Sequence, residues 1–128
     1  MFKKPYQRPE RVYAGIGNRD TPLPYIQLIQ DISKTLSKAG YFLRTGAAQG
    51  ADQAFMSRTL KGEIYVPWHN YDGFPLKYAI PREAEKTAQT YCPAWEKMSK
   101  GVRALHARNM MIISGPHMTD PVDFVVCF

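Results

Sequence analysis

Cysteine is scarce in this chain. Cys92 and Cys127 are the only two and lie far apart, which argues against a disulfide framework or a cysteine-rich zinc site and reads as reduced thiols. His69, His106 and His117 are equally scattered, with no partner at a metal-site spacing, so no metal cluster and no cofactor is expected. Long apolar runs are missing too. No stretch approaches the roughly 20 residues that a membrane helix needs, and the opening MFKKPYQRPE lacks the apolar centre of a secretory signal. A cytosolic protein with no membrane partner is the expectation. Internal repeats and low-complexity segments are also absent.

What is present suits one layered domain. With 128 residues, 45% of them hydrophobic, the chain can bury a real core but has little room for a second one. The reading divides it into a basic tail over residues 1–10 and a single domain over 11–128. Carboxylates are outnumbered, 11 against 17 lysines and arginines, and Lys3, Lys4, Arg8 and Arg11 crowd the front. Such tails hold nucleic acid or simply solubilise. Any nucleic-acid affinity is expected to be weak and without sequence preference, and deletion of Met1 to Glu10 is expected to leave the sheet untouched. A second basic cluster, Lys97, Lys100, Arg103, His106 and Arg108, reads as one face of a helix.

Strand-like and helix-like stretches alternate. Arg11–Ile16 reads as a first strand running into the turn-rich Gly17, Asn18, Arg19 and Asp20. Between Tyr25 and Ala39, Ile26, Ile29, Ile32 and Leu36 recur at helical spacing, with Gly40 as the stop. Tyr41–Arg44 reads as the second strand, Glu63–Val66 as the third and Asp123–Cys127 as the last, strongly apolar one. Repetition of strand, turn and helix predicts a parallel sheet covered on both faces. Residues 67–81 form an aromatic-rich loop of the kind that borders sites, and residues 82–114 turn helical again, with Pro93 breaking one helix from the next.

The segment TGAAQGAD, Thr45–Asp52, carries the most specific signal. It follows a strand and opens a helix whose apolar side would be Ala51, Ala54, Phe55, Met56 and Leu60. Gly46 and Gly50 permit positive φ or close approach, and Ala47 and Ala48 are small, so backbone N–H groups at the helix start can face an anion. A plain strand-to-helix turn, with Asp52 as a helix cap, is the other reading. Arg19 and Arg108 can grip phosphate through paired hydrogen bonds, and the Asn109 amide can donate and accept. Trp68 could stack on a base or pack beneath its loop, and Asp52 could orient a ribose hydroxyl or cap the helix. Met110 and Met111 beside Ile112 and Ile113 read as core.

GIGNRD at Gly15–Asp20, TGAAQGADQAF at Thr45–Phe55, ARNMMI at Ala107–Ile112 and the final DFVVCF occur in an order that resembles the SLOG superfamily. That superfamily includes the Rossmann-like domain of DNA-processing protein A, the Lonely Guy phosphoribohydrolases, and small phage or bacterial proteins of a YspA-like branch, which is the nearest likeness. The resemblance implies a three-layer Rossmann-like α/β fold with a mainly parallel sheet. It also implies a pocket for a nucleotide or nucleotide-derived ligand, lined by Gly17, Asn18, Arg19, Gly46, Ala47, Ala48, Gly50, Asp52, Arg108 and Asn109, with Trp68 added from its position after the third strand.

The chain departs from Lonely Guy enzymes at its end. There the last strand runs into a glycine-rich PGGxGT turn and a glutamate used in cleaving the N-glycosidic bond, whereas this sequence stops at Phe128. The expectation is a C-terminal truncation, an omitted tail or a reduced pocket, and catalytic residues stay unassigned. Two function classes follow. One is a nucleotide-binding module that senses or sequesters its ligand, or hydrolyses an N-glycosidic bond; the other is a DNA-binding accessory protein resembling DNA-processing protein A. A homo-oligomer is compatible with either.

Overall fold

The computed structural model describes residues 5–128, so Lys3 and Lys4 of the expected basic tail lie outside the described residues. The chain order is β1 (Val12–Ile16), α1 (Leu23–Lys38), β2 (Phe42–Thr45), α2 (Ala51–Met56), β3 (Gly62–Ile64), α3 (Arg82–Tyr91), a 3-10 turn (Trp95–Lys97), α4 (Lys100–Ser114) and β4 (Phe124–Cys127). The four strands form one sheet in the order β3-β2-β1-β4, every pairing parallel. This is the three-layer Rossmann-like α/β arrangement that the alternation predicts.

Side-chain alternation along the strands explains the layers. Tyr13 and Leu43 point to one face, where Ile29 of α1 and Ala51, Ala54 and Phe55 of α2 close over them. Ala14, the neighbour of Tyr13, points to the other face and meets Ala107, Met111 and Ile112 of α4, with Ala84 and Ala88 of α3 in the same cluster. The helical stripe is as expected: Ile29 is fully buried, and Ile26, Ile32 and Leu36 pack beside it. Gly15 is needed for this fit. A Cβ there would stand 2.6 Å from the Phe55 ring, so α2 could not sit so close to β1.

Several boundaries differ from expectation. The third strand covers Gly62–Ile64; Tyr65 still donates its N–H to the Thr45 carbonyl at 2.9 Å, and Tyr65 and Val66 are buried beyond the strand's end. Helix α2 ends at Met56, which leaves Leu60 fully exposed beyond it. As predicted, the helical region ahead of Pro93 stops at Tyr91; α4 then starts at Lys100, and the Ser99 hydroxyl caps it by accepting the Val102 N–H at 3.2 Å. The last strand is an edge. Pairing with β1 alone leaves Phe124, Val125 and Cys127 exposed, although their apolarity suggested burial.

The segment before β1 is tied to the body, which corrects the expectation that no sheet contact depends on it. Arg8 bonds to Asp123 at 3.0 Å and to the Pro121 carbonyl at 3.1 Å. Tyr6 donates to Glu63 at 2.5 Å and accepts from Arg44 at 3.1 Å. Arg44 is the largest fully buried side chain and also donates to Glu63 and Asp120. Burial depresses its guanidinium, but the bonds to Asp120 and Tyr6 outweigh burial and hold it above its ordinary value. No helix among the described residues is long and apolar enough to cross a membrane.

Candidate functional site

The chain runs from β1 through β2 to β3 in one direction and then returns to place β4 on the other side of β1. In an open parallel sheet this reversal opens a crevice beyond the carboxyl ends of the strands. A cavity of about 800 Å³ lies there, bounded by Ile16 and Gly17 at the end of β1 and by Cys127 and Phe128 at the end of β4. Its other walls are the loop after β3 and one side of α4.

Two strand-to-helix turns meet at its base, and one carboxylate joins them. Asp52 accepts the Gly17 N–H at 3.2 Å through Oδ1, and the Gly46 and Ala48 N–H groups at 3.2 and 3.4 Å through Oδ2. Asp52 stands in the first turn of α2, as expected, but does not cap the helix, whose N-cap is Gly50 without a side-chain bond, and it takes up N–H groups that the turn was expected to offer an anion. The negative charge that the turn attracts is its own. Burial pushes the Asp52 carboxyl above its ordinary value, opposed by the N–H bonds and by Arg108. The backbone adds two more ties: Asn18 donates to the Phe128 carbonyl at 2.7 Å, and its own carbonyl accepts the Ala51 N–H at 3.1 Å.

Gly50 makes this junction possible. Its φ is +83°, and a Cβ would stand 2.5 Å from the Asn18 carbonyl oxygen and against that of Arg19. Ala47 takes a left-handed φ of 60° without being glycine, held by full burial in a small core with Val66 and Tyr71.

Gly17, Arg19, Ala48, Asp52, Trp68, Arg108 and Asn109 line the cavity. Gly46, Ala47 and Gly50 form the structure behind the wall, and Asn18 turns to a neighbouring recess, where its side chain accepts the Asp20 N–H at 3.0 Å. Arg108 is more occupied than a ligand-gripping arginine would be. Its Nη1 donates to the Gly46 and Tyr65 carbonyls at 2.7 and 3.0 Å and its Nε to Asn109, so it holds the end of β2 to the segment following β3. Burial lowers it, while Tyr71 and Asp52 favour its charge. Gly46 leaves room for this guanidinium: a Cβ there would stand 2.7 Å from Arg108 Nη1.

Arg19 differs. Its side chain is 55% exposed, donates to the Tyr71 hydroxyl at 2.5 Å and lies 3.9 Å from Asp72. The Tyr71 bond holds its guanidinium above its ordinary value. It is the freest cation at the pocket mouth.

Tyr71, His106 and the apolar wall of Leu105, Met110 and Phe128 are pocket residues that the sequence reading did not name as such. A signal for Tyr71 was available. It stands between Asn70 and Asp72, both at positive φ, just before Gly73 at φ +86°, and asparagine and aspartate tolerate that region better than other side chains. The tight loop turns Tyr71 inward beneath Arg108, whose guanidinium lies 5.5 Å from the ring centre. Trp68 sits at the rim, 43% exposed and edge-on to Tyr71, so it both packs and presents a free face.

Fold and site together define a Rossmann-like α/β domain with a mixed aromatic and cationic pocket at its switch point. Comparison of the chain with protein-family models, with curated proteins and with solved structures finds no match.

Proposed function

We propose that this pocket binds a nucleotide or nucleotide-derived ligand, as a SLOG-like sensing or sequestering module or as an N-glycosidic hydrolase. One observation carries the reading. Arg19, Asp52, Trp68 and Asn109 come from four distant stretches of sequence yet line one cavity of about 800 Å³ at the strand reversal. The exposed Trp68 face and the apolar side of α4 suit a base, and the Asn109 amide can read its edge. Arg19 suits the phosphate. Because Asp52 holds the Gly17, Gly46 and Ala48 N–H groups, phosphate affinity rests on the Arg19 side chain more than on a backbone cradle.

Mass spectrometry of small molecules released from denatured protein, followed by calorimetry with a nucleotide panel, tests the reading. Arg19→Ala should weaken the best ligand by about 1.5 to 3 kcal/mol while leaving the fold intact. Absence of any nucleotide affinity, or unchanged affinity in the variant, refutes it. A DNA-binding accessory role needs one continuous cationic stripe. Here the basic residues of α4 are divided: His106 and Arg108 line the pocket, and Lys100 and Arg103 line a cleft on the other side of the helix.

A further inference from the structure

On the far side of α4 lies a second cleft, of about 520 Å³, between that helix and α3. Arg82 and Lys86 of α3 and Lys100 and Arg103 of α4 line it, against Glu85 as the one lining carboxylate. The spacing makes each wall a short row: Arg82 and Lys86 are four residues apart and Lys100 and Arg103 three, so each pair stacks along one helix side, about 4.5 to 6 Å apart along the axis. The two helices pack closely because Ala84, Ala88 and Ala107 are small and fully buried, which fixes the walls relative to each other.

Like charges facing each other across a cleft repel unless something lies between them. Among the described residues no carboxylate pairs with Arg82, Lys86 or Lys100. Arg103 is held in place chiefly by Trp95. Its Nε donates to the Trp95 carbonyl at 2.9 Å, its guanidinium lies 5.2 Å from the Trp95 ring centre, and its one ion pair, to Glu96 at 3.7 Å, is solvent-exposed and offsets its charge only in part. Trp95 itself is 8% exposed, so it floors the cleft without offering a face for stacking. The cleft therefore supplies charge and no base-reading surface.

We propose that the α3–α4 cleft is a second anion site, separate from the switch-point pocket, for a ligand carrying several phosphates in series. A single phosphate cannot meet two rows of cations on opposite walls; a chain of phosphates lying along the cleft can. The same chemistry is offered by free polyphosphate and by the backbone of a nucleic-acid strand.

The test uses the full chain, inorganic tripolyphosphate in calorimetry, and a fluorescently labelled thymidine oligonucleotide in anisotropy. Wild type should bind tripolyphosphate. Lys86→Glu with Lys100→Glu should weaken it by at least about tenfold, and so should the gentler pair Lys86→Gln with Lys100→Gln, both at exposed positions where circular dichroism should stay unchanged. Arg19→Ala should have no effect on this binding, which separates the cleft from the pocket. If the oligonucleotide displaces tripolyphosphate, with log affinity falling by about 0.7 per contacted phosphate against log salt, the source is a nucleic-acid strand; if it does not, the source is free polyphosphate. The proposal is overturned if tripolyphosphate does not bind, if both double variants bind as wild type does, if Arg19→Ala abolishes binding, or if polyglutamate of matched charge competes equally.

Discussion

Replacing Asp52 should unfasten the two turns that frame the pocket. Its carboxylate accepts from Gly17, Gly46 and Ala48, the Gly46 N–H being buried. A hydrogen bond to a charged group contributes about 1.5 to 3 kcal/mol, and an orphaned buried donor costs about 1 to 3 kcal/mol. Lengths of 3.2 to 3.4 Å place each of these bonds near the weak end, and the burial that raises the Asp52 pKa offsets part of the gain. Removal also leaves Arg108, itself buried, without its nearest negative charge. Asp52→Ala should therefore cost about 2 to 4 kcal/mol. Asp52→Asn, which keeps one acceptor oxygen but turns an NH₂ toward at least one N–H, should cost about 1 to 2 kcal/mol. Urea unfolding followed by circular dichroism reads both as a lower midpoint at unchanged slope. If either variant stays within about 0.5 kcal/mol of wild type, the carboxylate does not fasten the turns and the account of the site is wrong.

Arg44→Met should be more damaging, by about 3 to 5 kcal/mol in the same assay, because it leaves Glu63 and Asp120 without the cation that both contact. Leu60→Ser should leave the melting midpoint unchanged to within about 0.5 kcal/mol, since Leu60 is fully exposed. Asp123 is held below its ordinary 3.8 by the Val12 N–H and then by Arg8, so its contribution is complete above pH 3.8 and is lost as pH falls through the lower folded value. Asp123→Asn should flatten that acid limb in a pH series of urea midpoints, and an unchanged limb would count against the Val12 bond.

The sheet was legible because its signals are local. Short apolar runs ending in glycine-bearing turns mark β1 and β2, and the stripe through Ile29 marks α1; each depends on neighbours within a few residues. Leu60 shows where this fails. It continues the apolar pattern of α2, but helix length is decided by tertiary packing, and α2 unwinds at Ser57 once Phe55 has reached the core. The edge position of β4 was likewise hidden, since an apolar run reads alike in a central and an edge strand. Only the strand order, set by where α4 returns the chain, separates the two.

At the site the sequence located the residues better than their roles. Arg108 and Asp52 carry charges suited to a ligand, and both lie at the pocket, yet their hydrogen bonds go to the protein's own backbone. A motif scan cannot tell an arginine that grips phosphate from one that grips two carbonyls, because the distinction rests on Gly46 and Tyr65 being brought together by adjacent strands. The basic cluster from Lys97 to Arg108 makes the same point. It reads as one helix face, but Lys97 lies in the 3-10 turn, Lys100 and Arg103 line the α3 cleft, and His106 and Arg108 line the switch-point pocket. Helix α4 is thus a wall shared by two cavities of different character, one aromatic and apolar with the half-exposed Arg19 guanidinium at its mouth, the other cationic and without a stacking face. A basic cluster counted along the sequence joins what the helix separates, and the two groups of basic residues must be tested with different ligands.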